Sequence, residues 1–219
     1  MSIDPKRILF RDDSFLAVLK LSGELVVKGK GRVDRLPLLD FLRKEFPGLH
    51  PISRLDFETS GVVLFARNRS VLKIFLDTKF AQWSKTYQAI VAHRIDRDQG
   101  LISFPLPART AKVTVEAKTM YRVLERFADA SLVEAETSTG RHHQIRRHLR
   151  MIGHPLALDA VYGQEKFNTL FTRAFHCRRF FLHASAVSFQ HPVTKEMLRI
   201  EAPRPKVFEE MLGKLRIEN

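Results

Sequence analysis

Between residues 100 and 138 the chain falls into three β-type runs, LISFPLPA, KVTVEAKTMYRVLERF and ASLVEAETST, punctuated by turn residues. Runs in this hairpin-like order pair most simply as antiparallel neighbours. The rest of the sequence extends the pattern. Residues 7–28 read as short strands, RILF, FLAVLK and, after a turn at Ser22-Gly23, ELVVK. Residues 62–67 form another apolar run, and KTYQAIVAHRI places Tyr87, Ala89 and Val91 on one face of a strand. RFFLHASAVSF and EMLRIEAP close the series of strands.

Helical spacing is rarer. A helix is predicted over 35–46, with Leu36, Leu38, Leu39, Phe41 and Leu42 on its apolar side. Pro37 fits its first turn, and Pro47-Gly48 closes it. A second, over 71–82, follows Ser70 as N-cap and carries Leu72, Phe75, Leu76 and Phe80. A third starts near residue 140 and stops at Gly153 and Pro155, and a short one covers 205–214. The class is α+β, a mostly antiparallel or mixed sheet flanked by a few helices. With no linker, low-complexity tract or fixed repeat, residues 1–219 are expected to form a single domain.

An apolar fraction of 44% and a charged fraction of 28% are those of a folded globular chain. No window approaches the ~18 apolar residues of a membrane span. The N-terminus has acids where a secretory signal needs an apolar run, so a cytoplasmic protein without membrane attachment is expected. Thirty-seven Lys and Arg against 24 Asp and Glu leave a net charge of +13, which calls for a polyanionic partner, nucleic acid first. A single cysteine, Cys177, excludes an internal disulfide and any zinc site with two thiolates.

Two stretches carry chemistry. SRLDFETSG, residues 53–61, sets Arg54, Asp56 and Glu58 at the mouth of an apolar strand. It is either a salt-bridged turn or a loop whose acid does covalent or proton chemistry. In GRHHQIRRHLRMIGHP, 100° per residue groups Ile145, Leu149 and Ile152 on one side. His143, Arg146, Arg147 and Arg150 take the adjoining sector, with Arg146 at the border. A half-buried arginine there needs an acidic partner or a phosphate. Arg147 and Arg150 suit a solvated face as well as RNA contact. His143 and His148 are five apart, and His142 and His148 six, so neither pair has the spacing of a helical metal site. These histidines read as packing groups or as donors to backbone and phosphate. There is no Gly-rich phosphate loop, G-x-S-x-G elbow or two-metal acidic cluster, which leaves a reaction built on a carboxylate and an arginine, without metal or cofactor.

SRLDFETSGVVLFAR resembles the H-R-L-D-x-x-T-S-G signature of the RluA-type pseudouridine synthases. KTYQAIV resembles that family's K-x-Y-x-A-x-V strand, and TSTGRHHQIRRHLRMIGHPLALDAVYG its T-G-R-x-H-Q-I-R…G-H-P-x-x-x-D-x-x-Y-G block. FLHASAVSFQHPVTKE is similar to its late L-H-A…H-P strand pair. The four motifs follow the family's order over residues 50 to 205. Two positions depart from it: Ser53 replaces the usual histidine, and LKLSGELVV replaces N-K-P-x-G-x-x-V.

The resemblance implies a curved, mixed sheet with helices around it and a central basic cleft. It implies isomerisation of uridine to pseudouridine in RNA without metal or cofactor; a tRNA or rRNA stem-loop as substrate and a monomeric enzyme are expected beside it. Carried over by position, Asp56 is the catalytic carboxylate, Tyr87 stacks on the target base, and Arg146 pairs with the aspartate. Arg54 enters the helical stack to displace the base, and Leu182 lines the pocket. Arg141, His143, Arg147 and Arg150 are candidate RNA contacts. Asp56 acts as nucleophile at C1′ or as base at C2′, and the sequence leaves both open. Two rivals stand: a catalytically silent RNA-binding or assembly protein, and a glycosidase or nucleosidase using Glu58 as a second acid. No separate S4-like module is expected.

Overall fold

A computed structural model describes residues 3–29, 36–77, 83–108 and 113–217. Its strands are β1 (Ile8–Arg11), β2 (Phe15–Lys20), β3 (His50–Pro51), β4 (Ser60–Ala66), β5 (Ser84–Ala92), β6 (Gln99–Ile102), β7 (Leu106–Pro107), β8 (Thr114–Val115), β9 (Thr119–Arg126), β10 (Ala130–Thr137), β11 (Leu182–Gln190) and β12 (Met197–Glu201). Its helices are α1 (Leu38–Leu42), α2 (Arg69–Asp77), α3 (Gln144–Met151), α4 (Glu165–Phe175) and α5 (Lys206–Ile217). None of the described helices is long and apolar enough to cross a membrane. The chain divides into two compact units, one of residues 1–83 and 184–203, the other of residues 84–183 and 204–219.

In the first unit β1, β2, β4 and β11 are neighbours in that order, β3 pairs with β4, and β12 with β11. Period-2 alternation along FLAVLK and SGVVLFA feeds two cores at once. Phe15, Ala17, Val62, Leu64 and Ala66 face a cluster with Val71, Phe75, Trp83 and Phe189. There Phe15 meets Phe75 edge-on, centroids 5.0 Å apart, and Phe189 at 5.4 Å. Leu16, Val18, Val63 and Phe65 face the opposite way, onto Leu38, Leu39, Leu42 and Phe46 of the α1 region.

The predicted helix over 35–46 is shorter than its pattern, and residue 35 lies outside the described residues. Its last turn tightens, with Lys44 N–H bonding to Phe41 O and Glu45 N–H to Leu42 O, before Gly48 at φ +83°. Pro37 is the N-cap. ELVVK is not a strand, because the carbonyls of Leu25 and Val26 accept the N–H groups of Leu38 and Leu39 at the start of α1. The cap of α2 is Asn68, whose Oδ1 accepts the Val71 N–H at 2.9 Å, two residues before the expected Ser70. Its buried face is Val71 and Phe75, while Leu76 is exposed; residues 78–82, including Phe80, lie outside the described residues.

In the second unit β5, β10, β9 and β6 form an antiparallel series. β10 is paired along its whole length with β5, Tyr87 opposite Ala135 and Lys85 opposite Thr137. Tyr87, Ala89 and Val91, expected on one face of this strand, are buried, and so are Ile90 and Ala92 on the other. α4 was not anticipated. EKFNTLFTRAF nonetheless carries Phe167, Phe171 and Phe175 at i, i+4 and i+8, and all three are buried.

Candidate active site

The Asp56 loop is built by hydrogen bonds to its carbonyls. Thr59 N–H bonds to Asp56 O at 3.1 Å, closing a turn over Asp56–Thr59. That turn is not extended, so Glu58 does not share a strand face with Asp56, as expected from ETSG. Ser53, at the position of the usual histidine, is buried, and its hydroxyl accepts the Leu64 N–H at 3.0 Å. The substitution therefore ties the loop to β4. Asp56 is half-buried and Arg54 is exposed on the same loop.

Lys20 was overlooked in the sequence. It shares the face of Leu16 and Val18 on β2, is fully buried, and donates to Thr59 O at 2.6 Å, Phe57 O at 3.0 Å and Leu21 O at 3.1 Å. Gly23 N–H also reaches Phe57 O, at 2.8 Å. One ammonium thus holds two of the three residues that follow Asp56 in the turn, Phe57 and Thr59. Burial pushes its pKa down to about 8, against the fields of Glu24 and Asp56, which raise it, while Arg7 lowers it further. At neutral pH it remains charged and supplies all three donors. The visible signal was a lysine ending an apolar strand, in the segment where the family places N-K-P.

In the second unit Arg146 is the organising cation. Ile145 and Leu149 are buried as the helical wheel predicts, and Arg146 is itself only 6% exposed. Asp159 supplies an acidic partner, reached by Nε to Oδ2 at 2.6 Å and Nη2 to Oδ1 at 2.8 Å. Its guanidinium lies over two rings, 4.8 Å from Phe180 and 5.1 Å from Tyr162. Burial works to raise the Asp159 pKa, but the Arg146 hydrogen bond and the N–H groups of Tyr162 and Val161 outweigh it and hold the carboxyl below its usual range. Asp159, Tyr162 and Phe180 were not singled out in the sequence, although the first two belong to the D-x-x-Y-G block.

Two more sequence candidates converge with Arg146 on Tyr162. His143 Nδ1 lies 3.1 Å from its hydroxyl, Arg150 donates to its carbonyl at 2.8 Å, and Arg146 faces its ring. Arg141 is exposed and donates to Glu116 O, and Arg147 is half-buried. Gln144 fixes the start of α3, donating to Thr137 Oγ1 at 2.7 Å and Lys118 O at 2.9 Å while accepting from Thr139 and Arg141. His148 is a packing group. Its Nε2 donates to Phe104 O and its Nδ1 meets Thr119 Oγ1, each at 2.9 Å. Burial lowers its pKa, helped by Arg147 and opposed by the Phe104 bond.

Tyr87 is buried in β5, and Leu182 is buried at the start of β11. Lys85, two residues before Tyr87 on the same face, is a further group that the K-x-Y motif contained. Burial pushes its pKa down to about 8. Asp56 and Arg54 belong to the first unit, and Tyr87, Arg146, Leu182, Arg141, His143, Arg147 and Arg150 to the second. Among the described residues no group of three His, Cys, Asp or Glu side chains could hold a metal ion.

The chain was compared with known proteins. Residues 14–151 match the family described as RNA pseudouridylate synthase. The chain is 36% identical over 219 residues to a Vibrio cholerae protein named ribosomal large subunit pseudouridine synthase C, covering 95% of this chain and 69% of that one. To the Escherichia coli K12 protein of the same name it is 38% identical over 222 residues, covering 95% and 70%. Among solved structures, human RNA pseudouridylate synthase domain containing 4 superposes with a TM-score of 0.79 at 24% identity, over 95% of this chain and 92% of that one, a likeness of fold. By sequence and by fold, then, the chain belongs to the RNA pseudouridylate synthase family, whose members are isomerases.

Proposed function

We propose that this enzyme isomerises uridine to pseudouridine in large-subunit ribosomal RNA, with Asp56 as the reacting carboxylate. The observation that carries the reading is the Asp56 turn, held by Lys20 and Ser53 inside the family's signature. The relatives' names favour ribosomal over transfer RNA. In the reaction the N1–C1′ bond breaks, C5–C1′ forms, and the hydrogen on C5 leaves while N1 gains one. The change is redox-neutral and draws on no energy source. Asp56 serves as nucleophile at C1′ or as base at C2′, and either role needs it ionised.

In this reading Arg146 serves beside it as a cation whose direction Asp159, Tyr162 and Phe180 fix beforehand. The target base is flipped from its helix, Arg54 helping to displace it, and Tyr87 gives it a stacking surface worth ~1–3 kcal/mol. Leu182 lines the pocket. Arg141, His143, Arg147 and Arg150 meet the RNA backbone in a basic cleft. Both units serve one catalytic domain, which acts as a cytoplasmic monomer on a stem-loop.

Transcripts of large-subunit rRNA and of tRNA carrying tritium at uridine C5 test this, with wild-type protein and Asp56→Asn. Release from rRNA by wild type alone is the expected outcome. Release from tRNA alone would reassign the substrate. Binding without release would favour the silent RNA-binding protein, and release by both proteins would mean another carboxylate reacts.

A further inference from the structure

His142 occupies the free position of the G-R-x-H-Q-I-R block, so the family pattern gives it no role. The structure gives it an unusual setting. Its ring lies on that of His143, with centroids 3.7 Å apart and planes 23° from parallel. His143 is the N-cap of α3 in the left-handed region, at φ +52°, and its side chain makes no capping bond. Instead its Nδ1 meets the Tyr162 hydroxyl, and the two rings pack edge to face at 5.6 Å. Arg146, clamped by Asp159, lies over the Tyr162 ring and also over that of Phe180. Pairwise contacts thus link five side chains, Phe180, Arg146, Tyr162, His143 and His142, in a series that runs from a buried ring to an exposed one. A backbone in an uncommon conformation that sets a polar ring against a braced tyrosine, with no capping bond, serves that series of contacts rather than the cap.

An exposed flat ring backed by a braced stack is a surface for another flat ring. The cations around it set the charge of that ring's carrier: Arg141 and Arg150 are exposed, and Arg147 is half-buried. Val161, 64% exposed, adds an apolar neighbour beside Tyr162. We infer that the stacked His142–His143 pair is a platform for one unpaired nucleobase of the RNA, distinct from the target uridine, whose flanking phosphates the arginines meet. This inference rests on the reading of the chain as an RNA-modifying enzyme. The recognition element is the ring face, so the platform takes any base and contributes affinity rather than a sequence code.

The test uses a short single-stranded RNA of uridines around one 2-aminopurine, whose fluorescence falls when it stacks, with full-length wild type, His142→Ala and His142→Phe. Wild type should quench the probe. His142→Ala should bind about five- to twentyfold more weakly, with quenching lost and the salt dependence unchanged, because no phosphate contact is removed. His142→Phe should restore both. Thermal melts should be alike, since His142 is exposed. On tritiated rRNA, His142→Ala should raise KM and leave kcat within about twofold. Wild-type affinity, quenching and KM in His142→Ala would overturn the platform while the isomerase reading stood. Loss of quenching in His142→Ala, with no tritium released by wild type from any RNA, would keep the platform and overturn the isomerase.

Discussion

Lys20 shows how a single residue can set the geometry of another. Its three bonds go to carbonyls, which only accept, so full occupancy requires the ammonium. Lys20→Met would leave those carbonyls without it and let the Asp56 turn drift, and misplacement on the scale of 1 Å costs up to ~100-fold. The expected result is a fall in kcat of at least about tenfold with KM nearly unchanged, read by steady-state kinetics. The pH profile has a defined sign. Lys20 is protonated below about 8 and loses its third donor above it, so kcat should decline on the alkaline side. Lys85 titrates in the same range. Lys20→Arg keeps the charge and should abolish the decline; a decline that persists there and vanishes in Lys85→Arg would assign it to Lys85. No pattern of apolar spacing could have exposed Lys20, because burial of a lysine depends on which carbonyls fold against it.

At the scale of elements, the junction between the Asp56 loop and β4 turns on Gly61. At φ +122° it lies where side chains are rarely tolerated, and a Cβ there would sit 2.2 Å from the Ala184 carbonyl oxygen. Gly61→Ala should therefore cost about 3–5 kcal/mol, measured by urea unfolding of the purified protein. Ser53→Ala, which removes only the acceptor for Leu64 N–H, should cost about 1–3 kcal/mol. A loss in Gly61→Ala no larger than in Ser53→Ala would refute the close approach. T-S-G was legible as a turn signal, but the need for glycine was not, since the obstructing carbonyl comes from β11, more than a hundred residues later. α2 and α3 were legible from apolar spacing. α4 was missed although its phenylalanines recur at helical spacing, and ELVVK failed as a strand because α1 takes its carbonyls.

For the whole molecule, charge and burial set the response to pH and salt. His148 is held neutral, so the unfolded chain takes up a proton that the native one refuses; its contribution is full above about 6.5 and shrinks as pH falls below that. Asp159, depressed, contributes fully above its unfolded value near 4 and loses that contribution as pH falls through its lower native pKa. His93 acts oppositely. Bonds to Asp129 and Gln164 raise its pKa, so its contribution is present below about 6.5 and lost as pH rises through the native value. Its exposed side chain makes that contribution small. Melting temperature should thus fall in two steps on acidification, the first below about pH 6.5 and the second below about pH 4. His148→Gln should remove the first and Asp159→Asn the second, the latter from a baseline lowered by about 3–5 kcal/mol because it breaks the buried Arg146–Asp159 pair. A single step shared by all three proteins would contradict this assignment.

The sequence by itself determined the strand series, the α+β class, the polyanion-seeking charge and the motifs that mark Asp56, Tyr87 and Arg146, because periodicity, net charge and short motifs are local properties. It also determined that a half-buried Arg146 needs an acidic partner or a phosphate. Only the tertiary structure decided that Asp159 is such an acid, that Lys20 holds the Asp56 turn, that Ser53 ties it to β4, and that His142 lies on His143. Each of these joins groups whose partners are chosen by folded geometry, where a buried donor or charge takes whatever acceptor comes within about 3 Å.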